Sequence, residues 1–192
     1  MRVVVYGLDA LAEGLKALRE RGVDGVVIGS TSFLLRVGVK EFEDDVDLFT
    51  TTISPSFDEE VIMGVAEELG CFTGQTGWGT PQLRCSFRGS DIVFEFYENI
   101  YDFYVPEAML QDADVVKVKG VDVRLLRVED YLILKARAGR AEDEEDLKEV
   151  GKLIKQGKLS IRKEIIYDRM KLFEEYEEGL ILRKIREAGI SI

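Results

Sequence analysis

The sequence predicts an α+β protein in which a mixed β-sheet is flanked by helices and followed by a helical C-terminal extension. Three observations support this. Short apolar runs such as Val26–Ile28 and Val46–Phe49 alternate with segments of helical period in the first two thirds of the chain. Two pairs of strand-like runs are joined by short turn-formers, Arg88-Gly89-Ser90-Asp91 and Lys119-Gly120, as hairpins require. From Val128 onward the pattern turns helical and stays so. Residues 1–127 therefore read as an α/β core. Residues 128–192 read as a helical region, with 128–155 packed on the core and 157–192 appended to it.

Leu8, Leu11, Leu15 and Leu18 recur at helical spacing, so a helix is expected over 8–21, with 1–7 left open. A short buried strand at 25–28 turns at Gly29-Ser30 into a helix over 32–37, and a polar link at 38–44 leads to a strand at 46–51. Ser54-Pro55-Ser56 supplies a helix start with a serine cap, followed by Asp58, Glu59 and Glu60 at the positive end of the dipole. That helix is expected over 57–69, stopping at Gly70. The glycine-rich loop 74–81 holds the single tryptophan, Trp78, and its glycine spacing fits neither a Walker phosphate loop nor the dinucleotide fingerprint. A long hairpin connection is its ordinary reading, and a loop that gates substrate is the alternative. Strands follow at 82–87 and 92–97, a helical turn at 107–111, a hairpin of 115–118 with 121–126, and helices over 128–138, 142–154 and 161–188.

At 192 residues the chain can bury a full core. Its 26 basic residues against 37 acidic ones give a formal charge of −11, which disfavours broad nucleic-acid binding or adhesion to an anionic membrane. No apolar run approaches a membrane span and the N-terminus lacks the pattern of a signal peptide, so a cytoplasmic protein without a membrane partner is expected. With no histidine and no Cys-x-x-Cys, zinc sites and Ser-His or Cys-His catalysis in their usual forms are excluded. A single asparagine and abundant Glu, Lys and Arg match compositions associated with hyperthermophiles. Cys71 and Cys85 are expected as buried thiols, with a disulfide as the alternative.

Chemistry concentrates in Asp45 and Asp47. Side chains at i and i+2 of a strand share a face, and two carboxylates held together repel unless a cation such as Mg²⁺ lies between them. Glu95 stands between Phe94 and Phe96, where an acid is costly to bury unless something pairs with it. It is the natural third member if its strand neighbours that of Asp45 and Asp47. Three such carboxylates can hold two Mg²⁺ ions roughly 4 Å apart, one to lower the pKa of an acceptor hydroxyl and the other to grip a triphosphate. Gly29 lets the backbone approach a phosphate, while the Ser30 hydroxyl and the amides of the next helix can donate to it.

Gly29-Ser30, Asp45-Val46-Asp47-Leu48 and the later Glu95 resemble the nucleotidyltransferase superfamily with its polymerase-beta-like fold. Within it the chain is similar to small archaeal and bacterial members grouped around the AbiEii-like abortive-infection toxins. Val128 to Ala138 resembles that group's lysine-bearing helix, and Asp143-Glu144-Glu145-Asp146-Leu147 its Asp-x-x-Asp-Leu helix start. The resemblance implies that Asp45, Asp47 and Glu95 are the metal-binding, catalytic carboxylates, and that Gly29 and Ser30 hold the triphosphate. It implies that Lys135 approaches the triphosphate or the carboxylates, and that Asp143 and Asp146 orient Lys135 or touch the nucleotide. It further implies Mg²⁺, in a two-ion site, or Mn²⁺, with an NTP and a hydroxyl acceptor that is a small molecule, a protein or a tRNA end. The resemblance covers roughly 25–155. The remaining tail, 157–192, reads as a docking unit for a homodimer or a protein partner, and the rival function is a non-catalytic nucleotide-binding or regulatory module, such as a toxin–antitoxin component.

Overall fold

A computed structural model describes residues 5–192, so residues 1–4 of the stretch left open above lie outside the described residues. The chain divides into two compact units, Met1–Leu126 and Arg127–Ile192. In the first, the elements run β1 (Tyr6–Gly7), α1 (Leu8–Arg19), β2 (Gly25–Val27), α2 (Gly29–Arg36), β3 (Glu41–Phe42), β4 (Val46–Thr50), α3 (Glu59–Leu69), β5 (Phe72–Gln75), β6 (Pro81–Phe87), β7 (Ser90–Tyr97), α4 (Glu107–Gln111), β8 (Asp114–Val118) and β9 (Val121–Leu125). Seven strands form one mixed sheet in the order β5-β6-β7-β4-β2-β9-β8, in which β4 runs parallel to β7 and β2 parallel to β9. The α+β expectation holds.

Alternation along the central strands decides which residues reach the site. Ile92, Phe94 and Phe96 of β7, Val46 and Leu48 of β4 and Leu83 of β6 join Leu11, Leu15 and Leu18 of α1 and Ile62 and Val65 of α3 in one buried cluster. Their in-between neighbours, Glu95, Tyr97, Asp47 and Gln82, therefore point to the opposite face of the sheet. A slip of one residue would exchange the two sets, and burial of the large apolar side chains forbids it.

Several expectations change in detail. The helix expected at 32–37 begins at Gly29, so Gly29 and Ser30 belong to its first turn. The helix expected to start on Ser54-Pro55-Ser56 begins at Glu59 without a side-chain cap. Glu98 accepts from the Ser54 hydroxyl at 2.6 Å and from the Ser56 amide at 2.9 Å, which ties those serines to the end of β7 instead. The polar link contains β3, paired with β1 through Tyr6 and Phe42, whose rings stack at 5.4 Å. The exposed β5 was hidden in the sequence by its polar, glycine-containing composition, and it makes 76–80 the tip of a hairpin with β6. Cys71 and Cys85 are joined in a disulfide, correcting the expectation of thiols: the end of α3 lies against β6, with the two Cα atoms 4.4 Å apart.

The second unit holds α5 (Val128–Ala138), α6 (Ala141–Lys155), α7 (Lys163–Met170) and α8 (Glu175–Glu187), so the helix expected over 161–188 is two helices broken at 171–174. α6, α7 and α8 all pack on α5. Buried Glu129 accepts from the Arg162 amide at 2.9 Å, and buried Asp130 accepts from Arg169 at 2.9 Å. The tail 157–192 is thus fastened to α5 by groups that could not be left unpaired without cost. Among the described residues no helix is long and apolar enough to cross a membrane.

Candidate functional site

The parallel pairing of β4 with β7 sets Asp47 and Glu95 as register partners. Adjacent strands lie about 4.8 Å apart, so the two carboxylates leave the sheet side by side. Asp45, two residues before Asp47, precedes β4, and its backbone is fixed from below: Thr31 donates to the Asp45 carbonyl at 3.1 Å and the Tyr6 hydroxyl to that of Asp44 at 2.8 Å. Asp47 is held in turn by the Ile28 amide, which donates to its carbonyl at 2.9 Å.

Gly29 is shaped by Asp47. Its φ is +62°, and a Cβ there would lie 2.0 Å from Asp47 Oδ2, so the carboxylate occupies the space that any other residue's side chain would need. The Gly29-Ser30 turn and Asp47 are therefore one assembly, closed on itself by the absence of a side chain. The Ser32 hydroxyl donates to the Gly29 carbonyl at 2.7 Å and steadies the turn, while the first amides of α2 have no partner within the helix.

Glu95 is half-buried and doubly engaged. Gln82 Nε2 donates to Oε1 at 2.7 Å and the Tyr97 hydroxyl donates to Oε2. Loss of hydration pushes the Tyr97 phenol well above its ordinary range, and the negative charge of Asp47, the hydrogen bond to Glu95 and the charges of Glu95 and Asp45 push it further. All three candidate carboxylates thus act on one phenol. Asp45 is also raised, first by partial loss of water around it and then by the charge of Glu95, with Arg84 opposing and Asp44 adding to the rise. Arg84 is exposed on the same face as Gln82.

Among the described residues no group of three or more Asp, Glu or Cys side chains is arranged to hold a metal ion. With both oxygens on Gln82 and Tyr97, Glu95 is turned toward those donors. The oxygens of Asp45, Asp47 and Glu95 are nonetheless of the kind a hard cation takes, and Asp45 is raised first by loss of water around it and then by the charge of Glu95.

In the second unit the structure brings the other three candidates together. Lys135 Nζ lies 3.0 Å from Asp143 and 2.7 Å from Asp146, with the Asp143 side chain fully buried. Burial works against the Lys135 charge, but bonds to Asp146 and Asp143 outweigh it and raise its pKa. Burial likewise opposes ionisation of Asp143, and bonds from Arg140 and Lys135 outweigh that and lower it. Both aspartates thus engage Lys135 directly. Sequence reasoning missed Gln82 and Tyr97. Tyr97 was within reach, lying two residues from Glu95 on the same strand face, whereas Gln82 needed the hairpin register.

A family model described as "Nucleotidyl transferase of unknown function (DUF2204)" matches residues 7–187. No curated protein matches the chain in sequence. Among solved structures, an antigenic nucleotidyltransferase-like protein from Paracoccidioides brasiliensis is similar at a TM-score of 0.58 and 15% identity, over 94% of this chain and 88% of that one. The antibiotic-resistance factor ANT(2'')-Ia is more distant, with a TM-score of 0.44 and 16% identity over 95% of this chain and 93% of its own. The first likeness shows a shared fold.

Proposed function

We propose, because the chain belongs to the nucleotidyl transferase family DUF2204, that it moves a nucleoside monophosphate from an NTP to an acceptor hydroxyl and releases pyrophosphate. The observation that carries this reading is the register of Asp47 with Glu95 beside a Gly29 that is closed onto Asp47. Asp45 and Asp47, with Glu95, would hold Mg²⁺ or Mn²⁺. Bound there, the ion supplies neutralisation of the phosphates and a lowered pKa for the acceptor hydroxyl.

The chain's own residues do the rest. The amides and Ser30 hydroxyl at the start of α2 receive the phosphates, where the helix dipole favours negative charge. Glu95, oriented by Gln82 and Tyr97, takes the proton of the acceptor hydroxyl. The acceptor oxygen forms a bond to the α-phosphorus, the bond from that phosphorus to the bridging oxygen breaks, and pyrophosphate leaves with the electron pair. In-line transfer of this kind rests mainly on positioning and charge stabilisation.

The test incubates the full chain with each labelled NTP, Mg²⁺ or Mn²⁺ and a cell lysate, beside Asp45→Asn/Asp47→Asn. Label should pass to an acceptor with the unaltered chain and fall by at least about a hundred-fold in the double variant. Equal transfer by both proteins, together with no nucleotide binding, would overturn the reading.

A further inference from the structure

The loop singled out by its tryptophan is built as a shelf beside Glu95. Thr76 and Thr80, both buried, share a hydroxyl–hydroxyl bond of 2.8 Å at the tip between β5 and β6. The Thr76 amide donates to the Thr80 carbonyl at 2.8 Å, and the Trp78 amide reaches the Thr76 hydroxyl at 3.2 Å. A tip fixed this firmly nevertheless presents its indole to water, for Trp78 is 41% exposed. Its ring lies 6.0 Å from that of Phe103, which stacks on Tyr97 at 4.8 Å and 25°.

Phe103 is fastened too. It exchanges backbone bonds with Ile100 at 3.1 and 2.9 Å, and the Asn99 side chain grips both backbone groups of Val105. Tyr97 then donates to Glu95. One unbroken path therefore runs from Glu95 through Tyr97 and Phe103 to Trp78.

Its direction gives it meaning. In the sheet order β5-β6-β7-β4-β2, Gly29 follows β2 on one side of Asp47, while Glu95 and the β5–β6 tip lie on the other. The phosphates and the shelf are thus on opposite sides of the reacting centre. The geometry points to the Trp78–Phe103 shelf as the acceptor subsite, taking a hydroxylated ring of neutral or positive charge, such as a sugar, whose C–H face packs on the indole while a hydroxyl reaches Glu95. This rests on the catalytic reading above. The electron-rich face of an indole packs against the C–H groups of a saturated ring and buries them without demanding hydrogen bonds, and the carboxylates nearby repel an anionic acceptor.

Trp78 is the single tryptophan, so its fluorescence reports the shelf without any turnover. The full chain is titrated with glucosamine, with glucose 6-phosphate as the anionic control, and with each of the four NTPs in Mg²⁺, nucleotide binding being followed separately by calorimetry. Glucosamine should change the emission saturably and glucose 6-phosphate should not. Phe103→Ala should weaken the glucosamine response about ten-fold and leave nucleotide binding within about two-fold. No saturable response to glucosamine in a chain that binds nucleotide, an undiminished response in Phe103→Ala, or a response to the NTPs in place of glucosamine overturns the subsite alone. Absence of nucleotide binding in the unaltered chain overturns the catalytic reading, and the subsite with it.

Discussion

Gly29 lies where only a residue without a side chain fits against Asp47. Its positive φ and the 2.0 Å approach of Asp47 to the place of a Cβ make two independent demands for glycine. Gly29→Ala should destabilise the protein by about 1–3 kcal/mol from backbone strain and steric displacement. It should also abolish label transfer, because the Asp47 carboxylate must move. Thermal melting and the transfer assay check this, and unchanged values in both would mean that Asp47 does not sit against the turn. The turn at Gly29 was legible in the sequence as a glycine between a strand and a helix. The Asp47 contact was not, because Asp47 is eighteen residues on, and only the antiparallel pairing of β2 with β4 brings it back.

At the scale of elements, a turn sets the chemistry. Had 88–91 formed a four-residue connection, Phe87 would face Ile92 and Gln82 would face Tyr97. Instead Arg88 and Gly89, both at positive φ, form a two-residue turn, and Phe87 pairs with Ser90. Gln82 thereby falls opposite Glu95, where it donates its hydrogen bond. The helical unit offers a parallel case. Lys135 on α5 joins Asp143 and Asp146 on α6 across a fully buried carboxylate. Lys135→Met should cost about 3 kcal/mol by leaving Asp143 with too little positive charge. Denaturant unfolding checks this, and an unchanged midpoint would show that Arg140, 2.8 Å from Asp143, satisfies it alone.

Across the whole chain, one covalent bond and one fastened tail stand out. The Cys71–Cys85 disulfide ties the end of α3 to β6, the strand whose Gln82 orients Glu95. It joins cysteines at a sequence separation of 14, for which the chain-entropy estimate is about 3 kcal/mol. Cys71→Ser/Cys85→Ser should lower the melting temperature under non-reducing conditions, and reductant should lower that of the unaltered chain to match. A double variant that melts like the unreduced chain would contradict the bond. The tail is the contrasting case: its charged, amphipathic sequence reads as an appendage, yet Arg162 and Arg169 answer buried acids of α5.

By itself the sequence determined the class of fold and most of the elements, and it singled out Asp45, Asp47 and Glu95 as candidates, because strand and helix periods, turn residues and acids in apolar strands are local signals. Only the tertiary structure decided the partners. Glu95 meets Asp47, Gln82 and Tyr97 through strand order and register, Cys71 meets Cys85 where a helix end lies on a strand, and Trp78 reaches Phe103 from a hairpin whose first strand has no apolar pattern. Those meetings depend on which face each strand buries and on where each turn closes, and burial of the core residues fixes both together.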